Sequence, residues 1–106
     1  MTQVGNGIHK YNAGWSFDGI SGKFEQHVAK SVPFYDVGHD LICKYGDFFL
    51  KSDSLVYDVG CSTGLLMKRL LKWNAGKQEL RVIGIDPVED MVEFAKTQLE
   101  DDPRAL

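Results

Sequence analysis

Two aspartates and a short glycine loop are the residues of this chain with the clearest capacity for chemistry. The segment VYDVGCSTG, residues 56–64, passes from apolar residues to Asp58 and then to a loop bracketed by Gly60 and Gly64. A second apolar run, RVIGI at 81–85, is followed by Asp86. Carboxylates that follow parallel strands meet at one edge of a sheet, where nucleotide-type ligands bind. The spacing therefore predicts a ligand site at that edge.

The glycine spacing distinguishes between ligand classes. Dinucleotide-binding loops follow G-x-G-x-x-G because a pyrophosphate must approach the backbone closely. Here the spacing is G-x-x-x-G, with Ser62 in place of the middle glycine, and no Gly-Lys-Ser/Thr of a Walker loop follows. A nucleoside that carries an ammonium and a sulfonium needs less anion binding and gains from the carboxylate of Asp58. S-adenosylmethionine has that charge pattern, and Asp86 is placed to accept hydrogen bonds from its ribose hydroxyls.

Each of these residues also has a purely structural alternative. Asp86, Pro87 and Glu89 form a capping box, with aspartate as the N-cap of the helix that follows. Asp58 could cap the glycine turn. The glycines of the loop could serve only for positive φ and close packing, and Ser62 or Thr63 could be an ordinary N-cap. The conjunction of two apolar strands, two aspartates and one glycine loop favours the ligand.

The hydrophobic pattern predicts helices before the first strand and then alternating strands and helices. Residues 1–22 are interpreted as an extended or mobile arm, with Trp15 and Phe17 as its anchors. Helices are predicted over 24–31, from Pro33 to about 48, over 65–73 and after Pro87, and strands over 55–58 and 81–85. The second helix should turn one stripe toward a core: Phe34, Val37, Leu41, Tyr45 and Phe48. Gly76 should end the third helix, and the tail should be polar and stop at Pro103.

This order predicts an α/β fold, the N-terminal part of a Rossmann-like doubly wound parallel sheet preceded by helices. Residues 23–106 would form that part, after a flexible arm over 1–22. Parallel sheets are normally covered on both faces and have more than two strands. The sheet is therefore expected to be incomplete on its own, and either a missing C-terminal part or another chain would complete it.

Composition narrows the class of protein further. The net charge is −3 and the pI about 5.5, so charge does not indicate nucleic-acid binding, although it does not exclude it. Neither a signal peptide nor a membrane helix is indicated. The two cysteines, Cys43 and Cys61, lack the spacing of a disulfide framework or a zinc site. A cytoplasmic protein with reduced thiols and no metal is expected.

The motifs resemble those of class I S-adenosylmethionine-dependent methyltransferases. VYDVGCSTG and VIGIDPVEDMVEFAK look like the first and second motifs of that family. More narrowly, the chain is similar to carboxy-S-adenosylmethionine synthases, which serve tRNA wobble-uridine modification. The loop from Tyr57 to Gly64 resembles their Y-D-L-G-C-S-x-G, and KSVPFY at 30–35 resembles their R-S-[IV]-P-x-Y. Phe17-Asp18 resembles an N-terminal F-D segment.

The resemblance implies particular contacts. It implies that Tyr35, Gly60, Cys61 and Ser62 contact the ligand and that Asp86 holds the ribose. Tyr35 could equally be a core aromatic, and Cys61 is interpreted as a small loop residue rather than a reactive thiol. Pro87 stands where the family commonly has asparagine, which puts one polar contact in doubt. The family's remaining ligand contacts, including the arginine for an extra carboxylate, would lie beyond Leu106, so that particular reaction is not assigned.

The function predicted is the S-adenosylmethionine-binding portion of a methyltransferase-like enzyme. The cofactor would be S-adenosylmethionine or a carboxylated derivative, held by Tyr35, Asp58, Gly60, Cys61, Ser62, Gly64 and Asp86. No general base is evident, and His27 and His39 are interpreted as surface or half-buried helix residues. The catalytic residues are therefore unknown. The alternative is a non-catalytic module that binds S-adenosylmethionine, or a partner chain through its open strand edge.

Overall fold

The structure, a computed structural model, describes Lys10–Tyr11, Gly14–Trp15 and residues 21–106. The elements are β1 (Lys10–Tyr11), β2 (Gly14–Trp15), α1 (Ser21–Ser31), α2 (Tyr35–Phe49), β3 (Leu55–Val59), α3 (Leu65–Trp73), β4 (Arg81–Ile85) and α4 (Glu89–Leu99). Strands β1 and β2 form a small antiparallel pair. The rest of the predicted arm, including Phe17 and Asp18, lies outside the described residues, so its mobility stays a prediction.

The predicted βαβ unit is present, which confirms the α/β, Rossmann-like fold class. Strands β3 and β4 are parallel neighbours, with Leu55 opposite Arg81 and Val59 opposite Ile85. Helices α1 and α2 precede this unit, as the pattern indicated. The bounds predicted for α3 and β4 match the structure, whereas α1 begins three residues earlier than expected and α2 begins only at Tyr35, after Pro33.

The tail adds a third row of backbone to the sheet, which the sequence interpretation missed. Val82 donates its N–H to the Arg104 carbonyl at 2.9 Å, and Leu106 donates to the Val82 carbonyl at 2.8 Å. Ala105 forms a parallel bridge with Val82. Strand β4 is therefore central, between β3 and residues 104–106. The tail does not stop at Pro103 as expected, because residues 104–106 continue beside β4 and satisfy the backbone of that strand.

An arginine, rather than a glycine, donates hydrogen bonds to the carbonyl groups at the end of α3. Gly76 is absent from the glycines with positive φ, so the predicted left-handed glycine terminus is wrong. The guanidinium of Arg104 instead donates to the carbonyls of Leu71 at 2.9 Å and Asn74 at 2.7 Å. Asp102 pairs with the same guanidinium at 2.7 Å. A cation at a helix C-terminus satisfies carbonyls that have no partner within the helix.

The core lies on one face of the sheet. It contains side chains from α2, the glycine loop, α3, β4 and α4: Cys43, Cys61, Met67, Leu70, Leu71, Leu80, Val82 and Leu99. On α4, Met91, Ala95 and Leu99 are buried. On α3, Leu70 is buried, whereas Trp73 is 45% exposed.

Helix α2 is oriented opposite to the prediction. The stripe expected to face a core is exposed, from 51% at Leu41 to 81% at Phe48. The residues that α2 buries are His39 and Cys43. A Cβ at Gly46 would lie 3.0 Å from a methyl carbon of Leu70, so the small side of α2 packs closely on α3. Among the described elements none covers the larger apolar stripe.

One face of the sheet is also uncovered within the described residues. Leu55, Tyr57 and Val59 of β3 are 53%, 58% and 78% exposed, while Val56 packs against the core. The expectation of a sheet covered on both faces therefore holds for one face. No described helix is long and apolar enough to cross a membrane.

Candidate functional site: the glycine loop and its aspartates

The glycine loop is held against the end of β4 by its own backbone. Gly60 and Cys61 donate their N–H groups to the Ile85 carbonyl at 2.7 and 3.0 Å. Gly60, Ser62 and Gly64 have φ values of 79°, 51° and 81°, the left-handed region that favours glycine. The two glycines therefore have the positive φ that the structural alternative gave them, and Ser62 adopts the same region without a glycine's freedom.

The two glycines face different surroundings. A Cβ on Gly64 would lie 3.0 Å from the Ala95 Cβ and 3.1 Å from a methyl carbon of Leu99, so this position allows α4 to approach the loop closely. A Cβ on Gly60 would meet nothing within 4 Å. Gly64 thus serves packing, whereas Gly60 borders open space at the C-terminal end of β3.

The structural alternative of Ser62 or Thr63 as the N-cap of α3 is not what the structure shows. The N-cap is Gly64, and no side-chain hydrogen bond caps the helix. Thr63 is buried and donates its hydroxyl to Oε2 of Glu25 in α1 at 2.6 Å. Gln98 of α4 donates to the same Oε2 at 2.7 Å and to the Thr63 carbonyl at 2.9 Å. These bonds tie α1 and α4 to the loop, through pairs too distant in the sequence for local spacing to reveal.

Asp86 joins the two strand ends. Its Oδ2 accepts the N–H of Ser62 at 2.9 Å, and its Oδ1 accepts the N–H of Val88 at 2.9 Å. Helix α4 begins at Glu89 with Val88 as its N-cap, so the structural alternative of Asp86 as N-cap is not what the structure shows. The carboxylate supports the turn before the helix instead. Each oxygen has a further lone pair that can accept a hydrogen bond from a ligand.

Asp58 carries an unsatisfied oxygen. Its Oδ2 is buried and has no hydrogen-bond partner among the described residues. Burial raises the pKa of Asp58 above its usual value, and the nearby Asp86 carboxylate raises it further. A buried polar atom without a partner costs roughly 1–3 kcal/mol. A positively charged group beside Asp58 would remove that cost.

A cavity of about 190 Å³, here called the loop cavity, lies beside Asp58. Helices α1 and α2 close one part of it, and the end of β3, the glycine loop and the start of α3 close the rest. Its polar lining includes Tyr35, His39, Asp58 and Ser62, and its apolar lining includes Phe24, Val28, Leu65 and Leu66. Five of the predicted site residues line this cavity: Tyr35, Asp58, Gly60, Cys61 and Ser62. The other two do not line it: Gly64 packs against α4, and Asp86 accepts a hydrogen bond from the loop backbone at Ser62.

Sequence reasoning missed a polar cluster behind Tyr35. His39 was interpreted as a surface or half-buried residue, but it is 9% exposed and lines the cavity. The rings of Tyr35 and His39 lie 4.4 Å apart. Arg69 contacts His39 Nδ1 at 2.8 Å and Asp36 at 2.9 Å. The four-residue spacing of Tyr35 and His39 places them on one helix face, a signal that could have indicated this pair.

The two thiols are buried and free. Burial raises the pKa of Cys61 above its usual value, and the carboxylates of Asp58 and Asp86 raise it further. A raised pKa disfavours the nucleophilic thiolate. Cys61 therefore acts as a small, neutral lining residue of the loop cavity. Within residues 21–106 and the two short strands, no group of three or more metal-ligating side chains occurs.

Comparison with known proteins identifies the class to which this geometry corresponds. Residues 56–105, from β3 to the bridge at Ala105, match the family model described as a methyltransferase domain. The Rossmann-like unit with its glycine loop therefore matches a methyltransferase domain, which confirms the resemblance seen in the two motifs.

The chain is also similar to curated carboxy-S-adenosyl-L-methionine synthases. It is 37% identical over 90 residues to the one from Staphylococcus epidermidis. This alignment covers 83% of this chain and 39% of that protein. It is 34% identical over 80 residues to the one from Wolinella succinogenes, in an alignment that covers 74% of this chain and 33% of that protein. The chain therefore spans about two fifths or less of the length of these relatives.

Proposed function

We propose that this chain binds S-adenosylmethionine as the cofactor-binding portion of a methyltransferase-like enzyme. The observation that carries the proposal is the buried, unpartnered Oδ2 of Asp58, a residue that lines the loop cavity. Two carboxylates stand at neighbouring strand ends, and burial penalises the charge of Asp58. A ligand that brings an ammonium and a sulfonium to this place offsets that penalty.

The described residues fit the parts of this cofactor. Asp58 would accept hydrogen bonds from the ammonium of its amino-acid head, and the free lone pairs of Asp86 would accept those of the ribose hydroxyls. Gly60, Cys61 and Ser62 would line its path between the two acids, and Tyr35 would close the cavity from α2. When bound, the cofactor supplies an electrophilic carbon beside its sulfonium. The chain's part is then to bind and orient it.

The carboxylated cofactor and the role in tRNA modification are further proposals, supported by the names of the curated relatives and by the sequence motifs. No lysine or arginine lines the loop cavity in the described part of the chain. An extra carboxylate would thus need a cation from elsewhere, which agrees with the expectation that such an arginine follows Leu106. We also propose a cytoplasmic setting, from the reduced thiols.

A non-catalytic module completed by a partner remains the second candidate. The observation that favours it is the uncovered face of β3, together with an edge of that strand that pairs with no other described strand. The two candidates differ in one measurable property. If the chain is part of an enzyme, a longer polypeptide that adds further strands to this sheet should transfer a group from the bound cofactor to a substrate. A binding module should show no such transfer.

The cofactor proposal is tested by calorimetric titration of S-adenosylmethionine into the full chain. We expect Asp58→Asn to lower the affinity about 10- to 100-fold, because a hydrogen bond to a charged group contributes about 1.5–3 kcal/mol. Asp86→Ala should weaken binding at least 10-fold by the same reasoning. The matched control is Asp53→Asn, an exposed acid in the loop before β3.

Thermal unfolding of each variant shows whether the fold is retained. Equal affinity of wild type and Asp58→Asn would contradict the proposal that Asp58 holds the ammonium. Equal affinity of wild type and Asp86→Ala would remove the ribose role and leave Asp86 as a structural support of the turn. Absence of binding by the wild-type chain would refute the proposed function.

A further inference from the structure

His39 is a buried imidazole in the wall of the loop cavity that the proposed function has not used. It extends from α2, whereas Asp58 reaches the same cavity from β3. Its exposed fraction is 9%, in a helix whose other large side chains are mostly exposed. Burying an imidazole without use costs free energy. Its position therefore calls for a physical reason.

Arg69 determines which nitrogen of His39 carries the proton. The guanidinium of Arg69 lies 2.8 Å from Nδ1. Because a guanidinium can only donate, Nδ1 must accept, and the proton of a neutral ring is on Nε2. Among the described residues, none forms a hydrogen bond with Nε2 of His39. The ring thus has one nitrogen fixed by Arg69 and an N–H donor left over.

The charges around the ring keep it neutral and hold it in place. Burial lowers the pKa of His39 below its usual value and the charge of Arg69 lowers it further, while Asp36, Asp40 and Glu25 act in the opposite direction. Asp36 also pairs with Arg69 at 2.9 Å, which orients the guanidinium toward the ring. A neutral, oriented imidazole can donate one hydrogen bond in a fixed direction.

We propose that His39 donates its Nε2 proton to the carboxylate of the amino-acid head of the ligand, while Asp58 accepts from the ammonium. The loop cavity would then recognise both charges of an α-amino acid, with a donor from α2 and an acceptor from β3. Arg69 is the positioning residue that sets the tautomer. This inference rests on the proposed function, because it assigns a specificity contact within the same site.

The experiment compares two ligands that differ only in the carboxylate. S-adenosylmethionine and its decarboxylated form are titrated into the full chain for wild type, His39→Leu and His39→Gln. Leucine removes the donor, and glutamine retains an N–H donor on a side chain of similar reach. We expect His39→Leu to weaken S-adenosylmethionine about 10- to 100-fold and the decarboxylated ligand less than about 3-fold. His39→Gln should recover most of the loss.

The outcomes separate this inference from the proposed function. If His39→Leu weakens both ligands equally, His39 only packs the cavity wall, and the inference is wrong while the proposed function stands. If His39→Gln behaves like His39→Leu although both variants unfold at the wild-type temperature, the donor role is likewise overturned. If wild type binds neither ligand, both the proposed function and this inference fail.

Discussion

At the residue scale, the loop cavity is lined by a carboxylate whose burial carries a free-energy cost. The fold leaves Asp58 Oδ2 without a partner and sets a second carboxylate nearby. Sites that bind a charged ligand often retain such a cost, because the ligand relieves it. Binding and stability should therefore respond in opposite directions to a change at this position.

We expect Asp58→Asn to stabilise the unliganded chain near neutral pH by roughly 0.5–2 kcal/mol. The folded-state pKa of Asp58 is raised above its usual value of 3.8. The protonated side chain therefore contributes favourably to the free energy of unfolding below pH 3.8, and this contribution is lost as the pH rises through the folded-state pKa. The advantage of the variant should then shrink as pH falls toward 4. Urea unfolding of wild type and Asp58→Asn at several pH values measures this difference.

Asp53→Asn is the matched control, and its effect on the free energy of unfolding at pH 7 should be small because its side chain is exposed. A variant at Asp58 that is less stable than wild type at pH 7 would show that the carboxylate makes a favourable contact in the folded chain. It would also remove the argument that a cationic ligand offsets a cost there.

At the element scale, the sequence predicts elements whose pattern depends on local chemistry and fails where a distant partner decides. The bounds of α3 and β4 follow from their periodicity, and the positive φ of Gly60 and Gly64 follows from the loop. The orientation of α2 does not, since both of its faces carry apolar residues and only the packing of Gly46 on Leu70 selects between them.

The candidate site divides in the same way. Asp58, Asp86 and the loop could be found because each follows an apolar strand at a fixed spacing. The contact between Arg69 and His39 spans 30 positions, and that between Glu25 and Gln98 spans 73. No local pattern indicates pairs at such separations, because they meet only when α1, α2 and α4 pack around the loop.

Three glycines, two in the glycine loop and one in α2, predict three different outcomes on substitution by alanine. Gly64→Ala should destabilise the chain by about 2–4 kcal/mol, since a left-handed residue gains a Cβ and that Cβ crowds Ala95 and Leu99. Gly60→Ala should cost about 1–2 kcal/mol, because only the backbone conformation is unfavourable.

Gly38→Ala completes this series as the control, because Gly38 lies within α2 and a Cβ there would meet nothing within 4 Å. It should stabilise the chain by up to about 1 kcal/mol through helix propensity. Chemical unfolding of the three variants gives the order. If Gly64→Ala were no worse than Gly60→Ala, the close approach of α4 to the loop would not be a determinant of stability.

At the scale of the whole molecule, the described residues expose two apolar surfaces. One face of the sheet is open at Leu55, Tyr57 and Val59, and a second apolar stripe runs along α2. Both surfaces have exposed apolar side chains, but only the sheet face also adjoins a strand edge, that of β3, which pairs with no other described strand. Such edges template further strand pairing, so of the two surfaces the sheet is expected to associate more strongly.

We therefore expect the isolated chain to self-associate at micromolar concentration through the sheet face and edge of β3. Tyr57→Lys places a charge on that face and should weaken association at least 10-fold, because the charge would have to be desolvated in the interface. Val37→Lys places the same charge on the α2 stripe, where Val37 is 60% exposed against 58% for Tyr57, and should change association less than about 3-fold. Sedimentation velocity over a concentration series measures both. Greater weakening by Val37→Lys would assign the association to α2 instead, and a wild-type chain that stays monomeric throughout would show that the open face of β3 needs no cover.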